Sequence, residues 1–274
     1  MLKLNGKMVS LGHFPDGTLL IKQEPRSTAA HVQQILWKFE NNEELAALMF
    51  LVRHLREHGA ERIALEMPYI PNARQDRVKT NADVFTLKYF AEFINSLGFY
   101  TVTVLDPHSY VSCALIDRLD VRSPKPYIQK VLNRIGTENL LLFFPDEGAM
   151  KRYAGECAFL PYAFGIKNRD WTTGKIKSLK AEGETERIPG SRVLIVDDIC
   201  SRGGTFYHSA KQLKTLGAAE IYLYVTHCEN TILEGELLTC GLIERVYTTN
   251  SLFTKEHTMV EVLDDECDQS DAAD

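Results

Sequence analysis

"RVLIVDDICSRGGTF", residues 192–206, decides how this chain is read. Aliphatic residues run from Val193 to Val196 into Asp197 and Asp198, and Gly203, Gly204 and Thr205 follow within seven residues. A continuous apolar run this short reads as a strand buried on both faces, the kind found in parallel sheets. Charge at the end of such a strand, followed by a glycine turn, places polar groups where ligands of open α/β sheets sit, beyond the carboxyl ends of the strands. Gly203 and Gly204 free the backbone to turn tightly, and Thr205 can open the next helix. Amide groups left unpaired at that helix start form an anion cradle. No GxxxxGK[ST] occurs, so this is not a Walker A loop. Carboxylates beside a phosphate cradle would repel the phosphate. They make sense facing sugar hydroxyls or a hydrated magnesium ion, and a sugar phosphate meets both demands.

Working outward, strand-like runs alternate with helical patterns along most of the chain. Residues 35–40, 62–70, 100–106, 139–146, 193–198 and 220–227 read as strands, and 43–58, 83–97, 125–135, 147–155, 205–216 and 231–239 as helices. Asn42 is expected to cap the helix at 43–58 and Gly59 to end it. This alternation predicts an α/β fold with mainly parallel sheets. "RSPKPY" at 122–127 carries two prolines in three residues and marks a boundary. The expected organisation is an N-terminal domain over 1–124, a C-terminal domain over 125–263 and an acidic, disordered tail over 264–274. The polar, glycine-containing segment 171–192 reads as a flap or exposed hairpin.

The 274 residues are 45% hydrophobic and 25% charged, an ordinary globular composition. Net charge is −6. Asp264, Asp265, Glu266, Asp268, Asp271 and Asp274 account for all of it, leaving the body near neutral. No basic helix or aromatic-basic pattern points to a nucleic-acid partner. The longest apolar runs, such as "LLLFF" at 140–144, are too short to span a bilayer, and the first ten residues lack a signal peptide's apolar core. Cys113, Cys157, Cys200, Cys228, Cys240 and Cys267 show neither a CxxC pair nor zinc spacing. A cytoplasmic protein with no membrane partner is expected.

Further acidic positions fall at strand ends: Asp106 and His108 after 100–105, and Asp146 after 140–145. One such aspartate is commonly only a helix cap, whereas several together favour a shared polar site. Lys167 and Arg169 lie two apart, so an extended segment would project both from one face, placing two cations to hold charge developing on a transferred group. Their bland reading is an exposed basic loop. His13, His31, His54, His58, His208, His227 and His257 belong to no motif and are read as structural.

The 192–206 stretch resembles the phosphoribosyl-pyrophosphate (PRPP) loop shared by type I phosphoribosyltransferases and PRPP synthetases, and alone does not separate them. "PYIPNARQDR" (68–77) does, since it resembles the ARQDR segment of the synthetases, also called ribose-phosphate pyrophosphokinases. In family order, "FPDGT" (14–18), "LDPHS" (105–109), "PDEGAMKR" (145–152) and "IKNRD" (166–170) are similar to further synthetase segments. The resemblance implies two Rossmann-like phosphoribosyltransferase domains related by pseudo-twofold symmetry, in a homo-oligomer of two or more subunits. It implies that ATP and ribose 5-phosphate give PRPP and AMP with Mg2+.

By the same resemblance, Lys167, Arg169 and His108 are catalytic, and Phe14, Asp16, Arg74, Gln75, Asp76 and His108 contact ATP. Asp197, Asp198, Ser201, Arg202, Gly203, Gly204 and Thr205 hold ribose 5-phosphate, and His108 and Asp146 hold the metal. The chain departs from the family pattern at Thr18 (usually Glu), Asn72 (usually aromatic), Pro107 (Leu), Ala149 (Gly) and Ser201 (Asp), and the acidic tail is expected to stand where the family has a terminal helix. A PRPP-consuming phosphoribosyltransferase and a non-catalytic regulatory homologue are the alternatives.

Overall fold

A computed structural model describes residues 1–24, 32–157, 159–169 and 176–263, with backbone alone at 167–169 and 176–179. His31, Asp170, part of the expected flap (171–175) and the acidic tail lie outside the described residues. The chain divides between Ser123 and Pro124 into two compact units.

The first unit runs β1 (Leu2–Leu4), β2 (Lys7–Met8), β3 (Ser10–His13), β4 (Leu19–Lys22), β5 (Gln33–Trp37), α1 (Glu43–Glu57), β6 (Ile63–Glu66), α2 (Thr86–Ser96), β7 (Thr101–Leu105), α3 (Tyr110–Leu115) and β8 (Leu119–Arg122). Its sheet is ordered β2-β1-β5-β6-β7-β8. The four strands from β5 to β8 are parallel and β1 is antiparallel to β5. β3 and β4 form a separate antiparallel hairpin. Apolar residues of α1 (Leu48, Leu51) and α2 (Phe90, Ile94) pack with Trp37, Ile63 and Leu65 in one core. Each such large side chain contributes about 1.5–3 kcal/mol by leaving water.

The second unit runs α4 (Lys125–Ile135), β9 (Leu140–Phe144), α5 (Glu147–Tyr153), β10 (Tyr162–Arg169), β11 (Ile176–Gly183), β12 (Arg192–Cys200), α6 (Gly204–Thr215), β13 (Glu220–Cys228), β14 (Arg245–Thr249) and β15 (Val260–Leu263). The sheet order is β11-β10-β9-β12-β13-β14-β15. All neighbours are parallel except β10 with β11. From β9 the chain passes to β10 on one side and returns through β12 on the other. The gap between β9 and β12 is therefore the switch point at which open α/β sheets hold ligands. Phe206, Ala210 and Leu213 of α6 cover Val193, Ile195, Ile221 and Leu223.

Several local expectations change. Asn42 has helical φ and makes no side-chain cap; Asn41 Oδ1 accepts the Glu43 N–H instead at 3.0 Å. The strand expected at 35–40 is Gln33–Trp37. The helix expected at 231–239 is a 3-10 turn over Asn230–Glu234, which Gly235 leaves in an extended conformation. β12 contains both acids as expected but runs two residues beyond 198, to Cys200. The helix after the glycine turn starts at Gly204, capped by Gly203 in the left-handed region at φ 78°, so Thr205 is already inside it. Gly59 does close α1 with φ 87°. Among the described residues no helix is long and apolar enough to cross a membrane.

Candidate active site

The second unit supplies a coherent cluster at its switch point. β12 pairs with β9 from Arg192 to Ile195 and with β13 as far as Cys200. Its last residues thus overrun β9, and Asp197 and Asp198 fall on the overrun. Asp198 is buried, and its Oδ2 lies 2.9 Å from the Arg152 guanidinium. Asp197 is half-buried, and its Oδ1 accepts the Asp198 N–H at 3.0 Å. Burial first, then the charges of Asp198 and Asp146, push the Asp197 carboxyl well above the usual carboxylate range. Asp146 follows β9 directly and caps α5, accepting the Ala149 N–H at 3.0 Å. Three carboxylates therefore converge here, one committed to an arginine and one to a helix cap.

Arg152 was given no role by sequence reasoning, although it closes the "PDEGAMKR" segment. Its motif position was the available signal.

The turn after β12 is tightly framed. A Cβ on Gly203 would lie 2.7 Å from Leu237 Cδ2, on top of an already left-handed φ of 78°. A Cβ on Gly204 would meet nothing within 4 Å. Gly203 is thus required by the fold, whereas Gly204 borders open space at the start of α6. Ser201 Oγ donates to Glu229 Oε2 at 2.8 Å, and the exposed Arg202 pairs with Glu234 at 2.8 Å. Thr205 sits in the first turn of α6.

Lys167 and Arg169 lie on β10. The pairing with β11 shifts register between Asn168 and Arg169.

In the first unit, the β3–β4 hairpin presents Phe14 at its tip, 51% exposed. Phe14 borders a cavity of about 340 Å3 with Leu19, Ile21, Phe50 and His54. Asp16 is spent locally: its Oδ1 accepts the Thr18 N–H at 3.0 Å and the Thr18 hydroxyl at 2.7 Å. Those bonds hold its carboxyl below the usual range. Arg74 and Gln75 are exposed, and Gln75 Oε1 accepts from Thr86 at 2.8 Å. Asp76 is buried and takes two bonds from Arg77, at 2.7 and 3.0 Å. That pairing holds its carboxyl low, with His108 adding a smaller push in the same direction. The Ser109 side chain also lowers the Asp76 carboxyl, so the two segments "NARQDR" and "LDPHS" meet in space just beyond β7.

A parallel α/β sheet whose acidic strand end feeds a glycine turn at a helix start defines a phosphoribosyltransferase-type domain. Residues 157–235 match the phosphoribosyl transferase domain family, and residues 2–98 match the N-terminal domain of ribose phosphate pyrophosphokinase. The ribose-phosphate pyrophosphokinase of Thermococcus kodakarensis is 30% identical over 252 residues, covering 90% of this chain and 86% of that protein. That of Sulfolobus acidocaldarius is 28% identical over 271 residues, covering 94% and 91%. The crystal structure of phosphoribosylpyrophosphate synthetase from Mycobacterium smegmatis shares the fold, with a TM-score of 0.76 at 19% identity over 94% of this chain and 86% of that one. The chain belongs to the ribose-phosphate pyrophosphokinase family, with two phosphoribosyltransferase-like α/β domains.

Proposed function

We propose that the chain transfers the diphosphoryl group of ATP to the 1-hydroxyl of ribose 5-phosphate, giving PRPP and AMP. The match of residues 2–98 to the N-terminal domain of ribose phosphate pyrophosphokinase supports the nucleotide half of this reading, and the observation that carries its sugar-phosphate half is the end of β12. An acid with unbalanced negative surroundings, Asp197, precedes a turn whose Gly204 leaves room for a phosphate at a helix start. The 5-phosphate takes the backbone N–H groups from Arg202 to Thr205, where the helix dipole adds attraction. Asp197 accepts from the ribose hydroxyls. Asp198, held by Arg152, keeps the strand end rigid.

The residues fit a divalent cation as a hydrated ion. Asp146 and Asp198 both raise the Asp197 carboxyl, so a positive charge beside them relieves repulsion. Among the described residues no three His, Cys, Asp or Glu side chains form a ready-made cage. Mg2+ suits that arrangement because it retains several waters and is shared with phosphates. Asp146 and Asp197 would hold it. When bound it neutralises charge on the diphosphate.

Phosphoryl chemistry of this kind asks the protein for positioning and charge stabilisation more than for covalent steps. The 1-oxygen forms a bond to the β-phosphorus. The bridging oxygen leaves with AMP, and the hydroxyl proton passes to solvent. Lys167 and Arg169 stabilise the charge on the group in flight. Arg74, Gln75 and Phe14 hold ATP, and Asp76 with Arg77 supports the loop that carries the first two.

The test is to incubate purified protein with ATP, ribose 5-phosphate and Mg2+ and quantify products. AMP and PRPP in equal amounts are expected. ADP formation, or no PRPP, rules the reading out.

A further inference from the structure

We infer that Glu229 is a positioning residue for sugar-phosphate binding, holding the 201–204 turn in its ligand-ready shape through Ser201. The inference rests on the reading of that turn as the phosphate site. Cys200 and Cys228 are register partners at the ends of β12 and β13. The chains then diverge, and Glu229 ties them together again. Its N–H donates to the Cys200 carbonyl at 2.8 Å. Its Oε2 accepts from the Ser201 hydroxyl at 2.8 Å and from the Thr231 hydroxyl at 3.0 Å.

The segment that follows wraps the turn along its whole length. Glu234 pairs with Arg202. A Cβ on Gly235 would overlap the Arg202 carbonyl oxygen, and Leu237 fills the space beside Gly203. Residues 229–237 are therefore a strap fitted to the back of the turn, and Glu229 is its anchored end.

This changes the part played by Ser201. A hydroxyl has one proton, and that of Ser201 goes to Glu229. It cannot also be donated to a phosphate oxygen, so Ser201 acts through the strap, and the amides after it bind the anion. Nor does the carboxylate of Glu229 suit an anion site by its charge. What it supplies is a two-fold hydrogen-bond acceptor, which a glutamine amide oxygen also is.

Calorimetric titration with ribose 5-phosphate and with ribose, alongside steady-state kinetics, tests this. Glu229→Ala should weaken ribose 5-phosphate about tenfold, the scale of losing charged hydrogen bonds. Ribose binding and the KM for ATP should not move. Glu229→Gln should stay within about threefold of the parent, because the acceptor remains. Ser201→Ala should match Glu229→Ala, and the double variant should be no weaker than either single one, as for two members of one linkage. If Glu229→Ala does not fold, the contrast between Ser201→Ala and Glu229→Gln carries the test. Parent-like binding by Glu229→Ala or by Ser201→Ala, or additive losses in the double variant, overturns the strap alone. A parent protein that binds ribose but gains nothing from its 5-phosphate overturns the reading of the turn and the strap with it.

Discussion

Asp197 carries the sharpest consequences of any single residue. Burial and the neighbouring carboxylates push its carboxyl well above the value of about 3.9 expected in the unfolded chain. For a group raised on folding, the associated stability is fully present below the unfolded value and is lost as pH rises through the folded one. The ligand-free protein should therefore lose stability from this group as pH climbs above about 4. Asp197→Asn removes that slope. Its Tm should vary less with pH than the parent's and exceed it at the alkaline end, while ribose 5-phosphate binding falls by about tenfold or more. Thermal scans of both proteins across pH decide it; a parallel pair of curves would refute the account. Lys167→Ala and Arg169→Ala should act oppositely, leaving ATP affinity close to the parent's and lowering kcat by about 10²–10³. Near-parental turnover in both would remove them from the chemistry.

At the scale of elements, the two adjacent glycines of the turn should separate stability from binding. Gly203→Ala must hold a left-handed residue, at about 1–2 kcal/mol, and displace Leu237, at about 1–3 kcal/mol more. A lowered Tm is expected. Gly204→Val adds its side chain to open space at the first position of α6. Its stability should stay within about 0.5 kcal/mol of the parent, while ribose 5-phosphate loses its seat and ribose does not. Normal binding of the phosphorylated sugar by Gly204→Val would mean that the turn is not the cradle.

The same elements show what the sequence disclosed. Parallel strands such as β9 and β12 are legible because burial on both faces leaves an uninterrupted apolar run. β1, β2, β8 and β15 are two to four residues long, too short to show alternation, and they escaped notice. The helix expected after Thr231 failed because Gly235 is fitted to Arg202, a long-range demand invisible to local periodicity. Arg152 could have been found from its motif. Glu229 could not, since its role exists only once β13 lies beside β12.

For the whole molecule, two units with separate apolar cores imply two unfolding transitions. Trp37 is fully buried in the first core. In a Trp171→Phe variant, Trp37 is the one tryptophan left of two, and its fluorescence reports the first unit alone. Ribose 5-phosphate at about 100 times its Kd should stabilise the unit that binds it by about 2.7 kcal/mol. The calorimetric transition of the second unit should move up while the Trp37 midpoint stays. A matched shift of both would show that the units unfold as one. The proline pair at 124–126 opens α4, with Pro124 at its cap and Pro126 in its first turn, where a missing N–H leaves no helix bond unmade.

The overrun of β12 beyond β9 has a further consequence, in the exchange of amide protons with solvent. Up to Ile195 the strand is flanked on both sides by partners and sealed in the core, so its amides should exchange only on global opening. From Val196 onward one flank is released from the ladder, and exchange there should proceed through smaller, local openings. A sugar phosphate seated on that flank would slow it. Deuterium uptake over 196–205 would thus register occupancy of the site at equilibrium, with no turnover required, and would do so equally in a variant whose chemistry had been abolished.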